Sequence, residues 1–173
     1  MACSQTLKGL VNDCAPSMGG IVEVLIANFA DVTALTVTDN VISAITMASS
    51  KTFFKYTFAR NTGSLSSNYT IDETTGANFV ASDLVIVFNR METAKRIEIG
   101  ALAQGELAVI VKDANGKYWF LGKDAPVKAT AGDGLTGTAR ADRNGYSITL
   151  QDNSLEMPYE VSASIIDSLL PSA

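Results

Sequence analysis

Three groups of residues in this chain have types and spacings that could do chemistry. The first is a glycine-rich run, Thr130-Ala131-Gly132-Asp133-Gly134-Leu135-Thr136-Gly137. A phosphate-binding loop needs the pattern G-x-x-x-x-G-K followed by Ser or Thr, because its lysine meets phosphate charge while the glycines let backbone N–H groups approach. No lysine follows these glycines, and no buried strand leads through them into a helix. The run reads as a flexible loop. The second group is a scatter of acids: Asp72-Glu73, Asp113, Asp124, Asp133, Asp142 and Asp152. A calcium loop places oxygen ligands at fixed positions around an invariant glycine, and no window here fits. Aspartate in a turn usually caps its own backbone, which is the expectation for these. Carboxylates paired for glycosidic chemistry meet in space, so linear spacing does not decide for or against them.

The third group is aromatic. Tyr118 and Trp119 are neighbours in an apparent strand, so they face opposite sides and one of them belongs to a core. The other could stack on a sugar ring; more simply, it covers a sheet face or a subunit contact. The chain has no histidine, so its serines lack the usual base of a catalytic triad. The commonest metal ligand is missing too. Cys3 and Cys14 match no zinc spacing and are too few for a disulfide framework, so both read as free thiols of a reducing compartment, with a local disulfide as the alternative. Asn68-Tyr69-Thr70 has the form of a glycosylation sequon, which carries meaning only on a secretory route. No catalytic, cofactor-binding or metal-binding residue is assigned, and the expectation is a non-enzyme without a cofactor.

The elements that would position such groups are mostly strands. Val22, Val24 and Ile26 alternate along residues 21–28, and β-branched residues continue over 32–38. Asp39-Asn40 reads as a tight turn into residues 41–47. Phe54, Tyr56 and Phe58 share one face of residues 51–59, with Lys55 and Thr57 opposite. Residues 61–78 are polar, and a structureless loop of that length is unusual in a compact domain. An extended hairpin arm returning through residues 79–88 is expected instead. Leu84–Phe88 is continuously apolar, as in a strand buried on both faces.

One helix is expected over residues 91–104. Asn89 and Glu92 stand at capping-box spacing, Ala94, Ile97 and Ala101 form a stripe, Glu92 and Arg96 form an i,i+4 pair, and Gly105 stops the helix. Asp113-Ala114-Asn115-Gly116 between apolar runs signals a hairpin. Residues 125–137 read as loop, 146–150 as strand, and 161–169 fit either a strand or a short helix. The total is eight to ten strands with one helix. The fold expected is mainly β: a β-sandwich or small β-barrel with one flanking α-helix. It forms one domain over residues 1–173, with residues 1–20 as an N-terminal extension.

The bulk composition agrees. Of 173 residues, 47% are apolar and 18% charged, and the net charge is −5. Low charge density suits a surface partly covered by other subunits. An acidic balance disfavours a grip on nucleic acid, which needs clustered cations, yet suits a channel through which DNA slides. No apolar run is long enough to span a membrane. The N-terminus lacks the charged and apolar regions of a secretion signal, so the expected compartment is the host cytoplasm or a particle assembled there.

The segments LVIVFNRMETAKRIEIGALAQGELAVIVKDANGKYWFLGK and TGTARADRNGYSITLQDNSLEMPYEV, with the opening CSQTLKGLVNDCAPSMGGIVEVLIANF, resemble tail-associated structural proteins of Bacteroides-type, crAss-like gut phages. The element order is similar to that of phage tail-tube and contractile-injection tube proteins. The resemblance implies a virion protein that closes into rings, commonly hexamers or dodecamers, in the tail tube or head–tail connector. Its implied partners are other copies of itself, adjacent tail or connector proteins, and genome DNA passing non-specifically through the lumen, with no membrane. It implies no catalytic residue. Three rival expectations stand beside it: a carbohydrate-binding or adhesin module, a decoration or fibre protein of the virion, and a particle-borne glycosidase or peptidase.

Overall fold

The computed structural model describes residues 7–12 and 14–171. Residues 7–12 and 14–19 have no regular secondary structure. Eleven strands follow: β1 (Ile21–Asn28), β2 (Val32–Thr38), β3 (Val41–Met47), β4 (Phe54–Thr57), β5 (Ser64–Asp72), β6 (Ala77–Asn89), β7 (Leu107–Asp113), β8 (Tyr118–Leu121), β9 (Lys128–Leu135), β10 (Gly145–Ser154) and β11 (Tyr159–Val161). Helix α1 (Thr93–Gln104) separates β6 from β7, and the four-residue α2 (Ile166–Leu169) closes the chain. The strands form a seven-stranded sheet, β2-β3-β11-β8-β7-β1-β4, and a four-stranded sheet, β5-β6-β10-β9. The molecule is therefore a mainly β, sandwich-like fold with a flanking helix.

The central strands β1 and β7 are apolar without alternation, and they are the strands buried on both faces. Val24 and Ile26 point between the sheets, where they join Leu84, Ile86, Val109, Val111, Ile148 and Leu150. Leu25 and Ala27 point the other way, into a second core with Ile42, Phe53, Ala108, Ile110 and Phe120, closed by Ile166 and Leu169 of α2. A hydrogen bond from the Phe53 amide to the Leu169 carbonyl, 2.8 Å, ties that lid to the sheet. The expected face of Val22, Val24 and Ile26 is corrected at its first member. An irregularity in the β1–β7 register between Ile21 and Glu23 puts Ile21 into the inter-sheet core and leaves Val22 about half exposed. A bulge inserts one residue and so reverses the parity beyond it. Glu23, nearly buried, is held there by Lys55 at 2.6 Å and Lys112 at 3.6 Å.

Other expectations are met or corrected in the same way. Asp39 and Asn40 both have positive φ (52° and 62°), the conformation of a two-residue turn that matches strand twist. The hairpin at residues 113–116 forms differently: only Gly116 has positive φ. The Asp113 carboxylate fixes that turn by accepting from the Asn115 and Lys117 amides. Leu84–Phe88 is not buried on both faces. Along β6 the buried residues are Val80, Ser82, Leu84 and Ile86, and those between them are half-buried. Tyr56 and Phe58 pack on the core, but Phe54 lies on the open edge of the seven-stranded sheet and is 60% exposed.

Most of the glycine-rich run, up to Leu135, is not loop but part of an edge strand, β9; Thr136 and Gly137 follow it outside any strand. Its partner β10 supplies the hydrogen bonds that its own pattern does not advertise. Residues 161–169 become the end of β11, a 3-10 turn and α2. Helix α1 begins after Glu92, and Asn89 stays in β6 opposite Gly145, so no Asn89 capping box forms. Glu92 pairs with Lys95 and Arg90 and not with Arg96. Ala94, Ile97 and Ala101 face solvent, whereas Ile99 and Leu102 face the core.

Residues 61–78 do belong to a hairpin, β5–β6. Its last partner from β10, Ser154, stands opposite Val80. From Thr70 to Phe79 the two strands continue as a ribbon without further neighbours.

Candidate interaction surfaces

No site residue was expected from the sequence, so the candidate surfaces are those the fold itself assembles. One is a groove of about 500 Å³ lined by Tyr69, Trp119, Tyr159, Met157, Pro158 and the acids Asp39, Glu156 and Glu160, with Asn40 and Val41 completing it. Four separate pieces of chain build it. The β5–β6 hairpin brings Tyr69, 55% exposed. The β2–β3 turn and the start of β3 bring Asp39, Asn40 and Val41, β8 brings Trp119, and residues 156–160 bring the rest. Tyr118 and Trp119 separate as alternation requires: Tyr118 enters the second core, and Trp119 is left half-buried at the groove.

Trp119 is held in place. Its indole N–H donates to Asp113 Oδ2 at 3.0 Å, and the other oxygen of that carboxylate fixes the turn. Around the groove, Lys117 pairs with Glu160 at 2.5 Å and Lys123 with Glu156 at 3.1 Å. Lys123 Nζ also lies 4.1 Å from the centre of the Tyr159 ring, a cation–π contact. The Tyr159 hydroxyl donates to Glu156. That bond, with the Lys123 ammonium, holds the Glu156 carboxyl below its ordinary range. Asp39 has no ion pair among the described residues. The lining holds three carboxylates and no lysine or arginine.

A smaller cleft of about 220 Å³ lies between β4 and α1, lined by Tyr56, Phe88, Ile99 and Leu102 with Lys55, Lys95 and Glu98 at its rim. The Tyr56 hydroxyl donates to Glu98. Burial, then that bond, pushes the phenol well above its usual value. Tyr56 is thus kept neutral near pH 7 and is not poised as a base.

Asp152 is the polar group that the sequence reading misplaced. It is not in a turn: it lies in β10 opposite Ser82, facing the inter-sheet space at 2% exposure. Ser154 Oγ donates to its Oδ2 at 2.5 Å, while Oδ1 has no partner among the described residues. Burial raises its pKa, the Ser154 and Gly122 bonds oppose that, and the Asp124 carboxylate adds to it. The remaining acids behave mostly as expected. Asp72, Asp113, Asp124 and Asp142 accept from nearby or loop backbone amides, and Asp133 pairs with Arg143 at 2.7 Å. Among the described residues, no three acidic or thiol side chains converge as a metal site would require. Cys14 is exposed and outside any disulfide; Cys3 lies outside the described residues.

A further surface is the outward face of the four-stranded sheet. Ser64, Ser66 and Asn68 of β5 stand beside Val85, Asp83 and Ala81 of β6, which in turn face Thr149, Gln151 and Asn153 of β10. Gln151 donates to Asp83 at 2.8 Å. β5, β6 and β10 contain no lysine or arginine.

The class defined so far is a two-sheet, mainly β protein with a flanking helix and open, contact-type surfaces. Comparison with protein-family models, curated proteins and solved structures finds no match. No helix among the described residues is long and apolar enough to cross a membrane.

Proposed function

We propose that this chain is a virion structural subunit that assembles with copies of itself into rings of a phage tail tube or head–tail connector, through which DNA passes. The observation that carries the reading is that two segments projecting from the body carry exposed apolar side chains. Leu7, Leu10 and Val11 on the N-terminal extension are each more than 90% exposed, and Tyr69 and Ile71 on the β5–β6 hairpin are more than half exposed. Apolar side chains gathered on segments that leave the body favour contact with another surface. Both sheets also end in unpaired edges: β2 and β4 on one, β5 and β9 on the other. Edges left open invite pairing with another chain, and a closed ring satisfies them.

The cation-poor outward face of the four-stranded sheet suits a lumen. DNA is held mainly through lysine and arginine contacts to phosphate; on this face β5, β6 and β10 offer none, and the one cation of β9, Lys128 beside Gln151, is paired with Glu106 at 2.9 Å. Partners in this reading are neighbouring copies, the adjoining tail or connector proteins, and the passing genome; the place of action is the virion, after assembly in the host cytoplasm.

The test is the mass in solution by light scattering, followed by negative-stain imaging of the same sample. Closed rings or tubes are the expected result. A monomer that persists to the highest soluble concentration, and that no longer concentrates into particles on addition of salt or crowding agent, overturns the ring reading.

A further inference from the structure

The N-terminal extension leaves the body at a defined point. The Met18 amide donates to Asn115 Oδ1 at 2.8 Å, and Asn115 Nδ2 donates back to the Met18 carbonyl at 3.1 Å. This pair of bonds pins the chain to the β7–β8 turn. Beyond it, toward the N-terminus, Leu7, Leu10 and Val11 touch almost nothing. Lys8 is the only charged residue in the first twelve. The segment is therefore an apolar strip with one positive charge, anchored at its base.

The groove at Trp119 has the opposite character. Aromatic rings and Met157 and Pro158 give it apolar walls, while its charged lining is wholly acidic. Its volume of about 500 Å³ falls within the ~300–1,000 Å³ range of sites that enclose ligand-sized groups. Asp39 stands without an ion pair among the described residues, whereas Glu156 and Glu160 each share a lysine. Among the described residues, a carboxylate without an ion pair meets an ammonium without one, and apolar side chains meet apolar walls.

We infer that the Trp119–Tyr69 groove of one copy receives the Leu7–Val11 strip of a neighbouring copy, with Lys8 directed at Asp39. This deepens the proposed assembly and rests on it: the extension acts as a strap from subunit to subunit. Such contacts order a free segment on binding, so their apolar anchors carry most of the affinity.

Trp119 is the only tryptophan of the chain, so its emission reports the groove directly. The experiment follows emission and scattered mass together over a dilution series of the full chain. The expected result is a blue shift of emission that rises with concentration alongside the mass. The double substitution Leu7→Ser/Leu10→Ser changes side chains already exposed and so leaves the body folded. It should weaken association about tenfold or more and remove the shift. Tyr69→Ala should weaken association from the groove side, and Lys8→Glu should do so with a loss of salt dependence. Rings that form with unchanged Trp119 emission, equally well in the Leu7→Ser/Leu10→Ser variant, overturn the strap and leave the assembly reading standing. A shift present at every concentration in a monomer places the strip in its own groove and also overturns the exchange. Absence of both shift and association removes the assembly reading together with the strap.

Discussion

The two sheets of this molecule are built from similar residue types, but they are used differently. In the seven-stranded sheet, β1 and β7 bury both faces, one against the second sheet and one against α2 and Phe53. In the four-stranded sheet, β6 and β10 bury one face; on the other, β10 presents Ser147, Thr149, Gln151 and Asn153, and β6 presents Ala81, Asp83, Val85 and Val87. The first sheet therefore carries most of the stability, and the second carries a displayed surface and the hairpin ribbon. A substitution should cost much on either face of the first sheet and on only one face of the second.

The largest expected effect tests the side of the first sheet that faces away from its partner. Phe53 is fully buried there, outside any strand. Phe53→Ala should cost about 3–5 kcal/mol, as large aromatic truncations in cores do, read from the midpoint of urea unfolding. A loss below about 1 kcal/mol would mean that the second core contributes little, and the comparison would collapse to one shared core. Next comes a backbone contact in the second sheet. At Gly145, a Cβ would stand 2.1 Å from the Phe88 carbonyl oxygen and 3.0 Å from the Asn89 Cα. Backbone cannot yield as a flexible side chain can, so Gly145→Ala should cost about 1–3 kcal/mol and loosen the β6–β10 pairing, which amide exchange would show first at residues 86–89.

The parts of this fold that were legible in sequence are those whose signal is local. The β2–β3 hairpin shows in its flanking β-branched runs and in Asp39-Asn40, two residues that tolerate positive φ. The β5–β6 hairpin shows because a polar loop of that length is improbable. Strand β9 was hidden because Gly132 and Gly134 erase its alternation, and all but one of its residues are exposed; it is a strand because β10 offers an open edge. The stripe Ala94, Ile97 and Ala101 misled because α1 touches the core through only a narrow contact at Ile99 and Leu102. The groove could not be read at all: Tyr69 and Trp119 lie far apart in sequence, and only the return of the hairpin over the first sheet joins them. Asp152 looked like the turn aspartates around it, since nothing in its neighbours marks β10 as continuing to Ser154.

Asp152 offers a smaller effect of opposite sign. Its pKa is raised by burial, so the folded state favours the neutral acid. The stabilisation this gives is complete below the unfolded value of 3.8 and is lost as pH rises through the folded pKa. Asp152→Asn keeps the shape without the charge. It should raise stability at neutral pH by about 1 kcal/mol, the order of cost for an unsatisfied buried group, and flatten the loss of stability that sets in as pH rises above the unfolded value. Unfolding midpoints in a buffer series would measure both, and a variant less stable than the native chain at every pH would assign the carboxylate a bonding role that its unpartnered Oδ1 does not suggest.

The smallest effect is the sharpest check on the displayed face. Thr149 lies on β10 between Val85 of β6 and Ala131 of β9, facing outward from the sandwich. Thr149→Ser removes one methyl group there and should change stability by no more than about 0.5 kcal/mol. Thr149→Lys adds a cation to a face that has none on β5, β6 or β10. It should leave the fold and the oligomer unchanged while producing salt-sensitive binding to double-stranded DNA, since affinity for a duplex follows the phosphates that are neutralised. If Thr149→Lys instead blocks association, this face is an interface between copies and the lumen lies elsewhere; the one-sided burial of the second sheet would then be a property of the isolated subunit alone.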